Sequence, residues 1–223
     1  MSLIVDSIVD FIYPKKCLVC STDGVDLCFS CLGSFEYSDQ ICPVCGETSA
    51  MGWTHDVCKS KWSLDGLVVL YDYQDEKVRA LIDEIKFGFN KSLIRSVIGS
   101  CEIELGNDFD IIVPIPLYFY RENWRGFNQA REIATEVEKL TNIKSESVLV
   151  RKQATKQQSL SKTKEERLRN TKDVFGVRTE ALVSGKRALL IDDVFTSGAT
   201  LKEACKALKM AGVASVWGFC LAH

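Results

Sequence analysis

No apolar run in this 223-residue chain approaches the roughly 20 residues that a helix needs to cross a bilayer. Charge of either sign is not in excess. Lys and Arg number 28, Asp and Glu 30, and the formal net charge is −2. The chain as a whole therefore advertises neither a nucleic-acid surface nor a membrane surface. Residues 1–13, MSLIVDSIVDFIY, lack the basic start of a secretory signal and carry Asp6 and Asp10 inside their apolar run. They predict a short amphipathic helix, not a leader. The lack of an export signal predicts a cytoplasmic location. In that reducing setting the ten cysteines point to metal or buried thiols rather than disulfides.

What is present begins with those cysteines. Seven of them fall between Cys17 and Cys58. They form three C-x-x-C pairs (Cys17/Cys20, Cys28/Cys31, Cys42/Cys45) and the single Cys58. A C-x-x-C turn aims two thiolates at one ion, and two such turns complete a tetrahedral zinc site. Cys17, Cys20, Cys28 and Cys31 are the predicted four-thiolate set. The third pair, in CPVCG, has no clean partner pair, because Lys59, Ser60 and Lys61 follow Cys58. A second site would use Cys42 and Cys45 with Cys58 and His55, or Cys58 stands alone. Pairing Cys17/Cys20 with Cys42/Cys45 is equally allowed by spacing. In so short a segment bound metal supplies folding energy, so the role is structural.

From about Leu64 the composition changes to that of a core-forming domain. The overall hydrophobic content is 46%, as a globular protein requires. Residues 67–73, 111–115, 147–150, 174–177, 187–192 and 214–221 predict strands. Residues 75–87, 91–104 and 127–140 predict helices. Alternation of the two implies a parallel, doubly wound sheet.

The most informative stretch is Arg187 to Leu201, RALLIDDVFTSGATL. An apolar run without alternation suits a strand buried on both faces. It ends in two acids, Asp192 and Asp193, where open α/β sheets bind ligands. The polar turn Thr196, Ser197, Gly198, Ala199 and Thr200 then opens a helical pattern that Gly212 stops. A helix N-terminus offers unpaired N–H groups to an anion, and glycine lets the backbone curl round it. A lone acid pair would read as a solvated turn; the full string does not. No lysine follows the glycine in the Walker position, which excludes a P-loop.

This string resembles the phosphoribosyl pyrophosphate (PRPP) motif of type I phosphoribosyltransferases. By that resemblance Asp192 and Asp193 are the catalytic acids that hold the ribose 2′- and 3′-hydroxyls, and Thr196 to Thr200 cradle the 5′-phosphate. The likeness widens with VPIPL (113–117), RGFNQA (125–130) and QQSLSKTKEERLRNTKDVF (157–175). In combination with the cysteine module these resemble the ComF family, associated with DNA uptake in natural competence. A departure lies at Lys61, where related modules carry an eighth cysteine. The resemblance implies a type I phosphoribosyltransferase-like parallel sheet flanked by helices, with a small N-terminal zinc ribbon module. On this reading residues 1–62 form the module and 63–223 the transferase domain.

Phosphoribosyl transfer displaces pyrophosphate from C1 of the ribose. Mg²⁺, which prefers phosphate and carboxylate oxygens, suits that leaving group. Arg121 and Arg125 after Pro116 are the candidate pyrophosphate contacts. Residues 151–173 carry eight Lys or Arg against three acids; they predict a basic lid whose Arg167 and Arg169 close over the leaving group. No residue stands out for base specificity, so the nucleophilic acceptor is unassigned. Three functions compete: a PRPP-dependent transferase, a PRPP-binding protein without turnover, and a competence factor that binds single-stranded DNA or other competence proteins. Trp53 and Trp62 beside Lys59 and Lys61 hint at the last, since interleaved aromatic and basic residues suit single strands.

Overall fold

A computed structural model describes residues 15–88, 90–101, 108–117, 126–152, 174–179 and 181–223. In chain order the elements are helix α1 (Phe29–Leu32), strand β1 (Gly66–Tyr71), helices α2 (Glu76–Phe87) and α3 (Lys91–Gly99), strand β2 (Ile111–Pro114), helix α4 (Gln129–Thr141), strands β3 (Leu149–Arg151), β4 (Phe175–Val177) and β5 (Arg187–Ile191), helix α5 (Ala199–Met210) and strand β6 (Ser215–Ala222). Two short 3₁₀ turns, Ala50–Gly52 and Asp56–Cys58, precede β1.

Four strands make one parallel sheet in the order β1-β6-β5-β2. Parallel pairing needs long crossovers, which α5 provides between β5 and β6. The register sets Ile191 beside Phe219 and Pro114 beside Ile191, so β2, β5 and β6 bring their carboxyl ends to one edge. The strands β3 and β4 do not join that sheet. They form a separate antiparallel pair that packs on α5. The expected parallel sheet flanked by helices is present; what differs is that these two strands, expected among its members, pair with each other instead. The apolar runs located both strands, but nothing in them says which neighbour each will choose.

Alternate residues of the central strands feed two core layers. Ile112, Leu189, Ile191, Phe219 and Leu221 face one side, where α2, α3 and α4 lie. Val113, Ala188, Leu190, Val216 and Cys220 face the other, against α5. Helix α2 shows why its sequence takes that place. Asp75 caps it by accepting from the Lys77 N–H at 2.8 Å, and Val78, Leu81, Ile82 and Ile85 form its buried face. Buried Asn128 caps α4 and also donates to the Ile115 carbonyl at 2.9 Å, which ties the helix start to the end of β2.

The cysteine-rich segment lies on both layers. Cys17, Leu27, Leu32 and Phe35 pack into the layer of α2 and α3. Asp26 accepts from Asn90 at 2.9 Å and from the Ser92 hydroxyl, both at the start of α3. Ile41 enters the opposite layer, which also holds Phe195 and Leu201. The segment between them runs along β1, the outer strand of the sheet. Ser38 N–H donates to Leu70 O at 3.0 Å and Asp72 N–H to Glu36 O at 2.9 Å. The Gln40 amide clips Val69, donating to its carbonyl at 2.7 Å and accepting from its N–H at 3.1 Å. Gly52 passes so close to β1 that a Cβ there would fall 1.9 Å from the Leu67 carbonyl oxygen.

Candidate functional site

The acid pair sits where β5 ends. Its backbone continues along β6: Asp192 N–H donates to Phe219 O at 3.0 Å, Asp193 O accepts from Leu221 N–H at 3.0 Å, and Phe195 N–H reaches Ala222 O at 2.9 Å. These bonds fix the acids and the following turn to the centre of the sheet. Asp192 Oδ1 accepts from the Asp193 N–H at 3.0 Å, and Asp193 Oδ1 from the Val194 N–H at 2.7 Å. Lys86, in the last turn of α2, brings its ammonium to 3.7 Å from Asp193 Oδ2.

Burial raises the Asp192 pKa, and the neighbouring Asp193 charge adds to it; together they bring it from 3.8 to about 7. The Asp193 N–H, Lys86 and Arg151 oppose that rise. Near neutral pH Asp192 is therefore close to half-protonated, the behaviour of a carboxyl drawn out of water beside a like charge. Such a pair readily gains from hydroxyl donors or from a cation.

Beyond the acids the chain turns sharply. Gly198 is left-handed (φ +67°), and a Cβ on it would lie 2.9 Å from the Phe195 ring. The position is thus closed to other residues twice over, by conformation and by space. Gly198 also caps α5, and no side chain caps that terminus. The first-turn N–H groups of this twelve-residue helix are donors of the kind that an anion can satisfy. A concavity is lined by Asp192, Val194, Phe195, Thr196, Gly198, Ala199, Thr200 and Leu201. Thr196, Ser197, Ala199 and Thr200 are exposed.

The structure thus brings Asp192, Asp193 and Thr196 to Thr200 together. In the sequence Lys86 is only one residue of the predicted helix 75–87, and Arg151 only the first of the basic segment 151–173. Arg121, Arg125, Arg167 and Arg169 lie outside the described residues, as do residues 1–14.

The seven cysteines between Cys17 and Cys58 divide, with His55, into two clusters. In each, four ligand atoms lie within 4.8 Å of one another: Cys17, Cys20, Cys28 and Cys31 in one, Cys42, Cys45, His55 and Cys58 in the other. This decides between the pairings that spacing leaves open. In the first cluster, burial pushes the Cys17 thiol up, but the N–H groups of Cys20, Cys28 and Val19 outweigh it and bring it down to about 6. The neighbouring Cys28 thiol is the largest influence raising Cys31 to about 12. In the second, burial likewise raises Cys42 while the N–H groups of Cys45, His55 and Val44 lower it to about 7. His55 Nδ1 lies 3.4 Å from Cys45 Sγ. Backbone donors around crowded thiols, and a tetrad of S₄ or S₃N donors, fit zinc.

The aromatic and basic residues near the second cluster are otherwise engaged. Lys59 pairs with Asp56 at 2.7 Å. Lys61 lies over the ring of its neighbour Trp62 at 4.8 Å. Trp53 packs edge-to-face on Trp217 with ring centroids 4.5 Å apart.

Comparison with known proteins fits this geometry. Residues 94–222 match the phosphoribosyl transferase domain family, and residues 8–60 the double zinc ribbon domain. The chain is 30% identical to competence protein ComFC of Bacillus subtilis over 211 residues, covering 87% of this chain and 83% of that protein. It is 30% identical to ComFC of Streptococcus pneumoniae over 212 residues, 92% and 90% of the two chains. A shorter match, 34% over 113 residues, is to the DNA utilization protein YhgH of Escherichia coli K12, covering 50% of this chain and 48% of that one.

Proposed function

Because this chain belongs to the phosphoribosyl transferase domain family, in the double-ribbon form of the ComF competence proteins, we propose that it binds PRPP with Mg²⁺ and transfers the phosphoribosyl group to a nucleophilic acceptor. The observation that carries the reading is the pairing of two features on one turn of chain. Two adjacent carboxylates, Asp192 and Asp193, fixed by backbone hydrogen bonds to β6, stand shortly before a helix N-terminus with no side-chain cap.

In this reading Asp192 and Asp193 accept hydrogen bonds from the vicinal ribose hydroxyls. The 5′-phosphate lies on the N–H groups and hydroxyls of residues 196–200. Anchored at both ends, the ribose presents C1 above the carboxyl edge of the sheet, where its bond to pyrophosphate breaks as the acceptor's bond forms. Such fixing of reactants is itself a large part of catalysis. Mg²⁺ would neutralise the departing pyrophosphate, and the acids, with Lys86 as their counter-ion, are the groups that would hold it near the ribose.

The test is a calorimetric titration with PRPP, with and without Mg²⁺, beside one with single-stranded DNA. PRPP should bind with a micromolar to millimolar Kd, in the range of enzyme substrates. Replacing both acids with Asn should abolish that binding, because an amide is a poorer double acceptor. Unchanged affinity in the double variant would place the ribose elsewhere. Binding of DNA alone would favour the competence-factor reading, which rests on the names of the relatives and not on Lys59 or Lys61.

A further inference from the structure

The second cysteine cluster abuts the phosphate loop. Pro43 lies inside its C-x-x-C turn, between Cys42 and Cys45. The Pro43 carbonyl oxygen is 3.7 Å from the point where a Cβ on Gly198 would lie. Next to it, Ile41 packs in one core layer with Phe195 and Leu201. The Phe195 ring is 2.9 Å from the same point. The Phe195 ring and the metal-binding turn therefore both close on Gly198 where a side chain would stand. The turn's hairpin is closed by the Cys42–Glu47, Gly46–Cys42 and Ser49–Gln40 backbone bonds and an Ile41–Thr48 bridge, and Ile41 and Cys42 are buried. Metal held by the four ligands would add a further constraint, joining this turn to His55 and Cys58.

The first cluster has no such position. Among the described residues its ribbon packs on α2 and α3, with Cys17, Leu27, Leu32 and Phe35 in the opposite core layer.

From this we propose that Pro43 is a positioning residue for the phosphate loop, and that zinc at Cys42, Cys45, His55 and Cys58 holds it in place. The second zinc is then thermodynamically coupled to occupancy of the phosphate site, while the first is not. The inference rests on the reading of residues 196–200 as the 5′-phosphate cradle. Coupling between two sites is reciprocal. If zinc raises affinity for the phosphate ligand by some factor, the ligand raises zinc affinity by the same factor. Typical couplings of this kind span about 5- to 150-fold.

Ribose 5-phosphate is the probe, since it carries both the hydroxyls and the phosphate but no pyrophosphate to chelate metal. The full-length protein is equilibrated in zinc buffers with and without it, and zinc bound per chain is measured. Two binding steps are expected. The step assigned to the second cluster, which Cys58→Ser removes, should tighten about fivefold or more; the step removed by Cys20→Ser should not move. Since either variant can lose its fold, Pro43→Gly is the complementary test. It leaves all four ligands in place and softens only the turn. It should keep two zinc ions yet weaken ribose 5-phosphate binding about fivefold and reduce the tightening of the second step by the same factor.

Equal zinc affinity with and without saturating ribose 5-phosphate overturns the coupling. So does tightening of both steps alike, which would mean general stabilisation of the fold. If ribose 5-phosphate does not bind the wild-type protein, or amide exchange at residues 195–201 is unchanged by it, the phosphate-cradle reading itself fails and the coupling falls with it.

Discussion

Asp192→Asn should make this protein more stable and less able to bind its ligand. The folded chain holds the Asp192 proton with a pKa of about 7, against an ordinary value of 3.8. Between those values the native state binds more protons than the unfolded one, so stability falls as pH rises from about 4 to about 7 and then levels off. Three pKa units at about 1.36 kcal/mol each would put the full cost near 4 kcal/mol. Asp192 retains some solvent contact, and Lys86 and Arg151 share its field, so a discounted figure of about 1–3 kcal/mol is appropriate. The variant keeps the Oδ1 acceptor that the Asp193 N–H uses at 3.0 Å, so little is lost in exchange. The assay is urea unfolding of both proteins at pH 4, 5, 6, 7 and 8. The stability gap should widen in favour of the variant across that series and flatten above neutrality. A variant equal to or weaker than wild type at pH 8 would show that Asp192 is not held protonated by burial. With the expected outcome, activity and stability oppose one another at a single carboxylate, as they often do at functional sites.

Two further outcomes follow from neighbouring contacts. Lys86→Met removes the cation 3.7 Å from Asp193 and one of the influences that lowers Asp192. Binding of PRPP with Mg²⁺ should weaken at pH 7, and its pH midpoint should move upward; an unmoved midpoint would remove Lys86 from the site. Purified protein should carry two zinc ions per chain, one for each ligand cluster. A count of one by metal analysis, unchanged by Cys58→Ser, would leave the second cluster without metal.

What could be read from sequence depended on how far apart the cooperating residues lie. The acid pair, the phosphate turn and the strand before them are contiguous, so their chemistry and geometry were visible together. The first zinc set was visible because its two pairs stand close in the chain. The second set was legible as one of two alternatives: His55-Asp-Val-Cys58 has the same spacing as C-x-x-C, with imidazole in place of one thiolate, and the structure gathers it with Cys42 and Cys45 rather than leaving Cys58 alone. Lys86 and Pro43 could not be found this way. Each reaches the site from a different element, and only packing of the ribbon and α2 on the sheet brings them there. The antiparallel β3–β4 pair escaped for a related reason, because its two strands meet across the long basic segment that separates them in the chain.

The clip of Gln40 on Val69 bears on how the protein matures. Strand β1 pairs with β6 on one side, and on the other with the segment that joins the two metal clusters. Until that segment is in place, β1 presents bare N–H and C=O groups beside an apolar run, the kind of edge that recruits strands from other chains. The segment is flanked at both ends by ligand clusters whose turns bound metal would help to hold. Were metal slow to reach the newly made chain, that edge would stay open longer, and pairing with other chains would compete with completion of the fold.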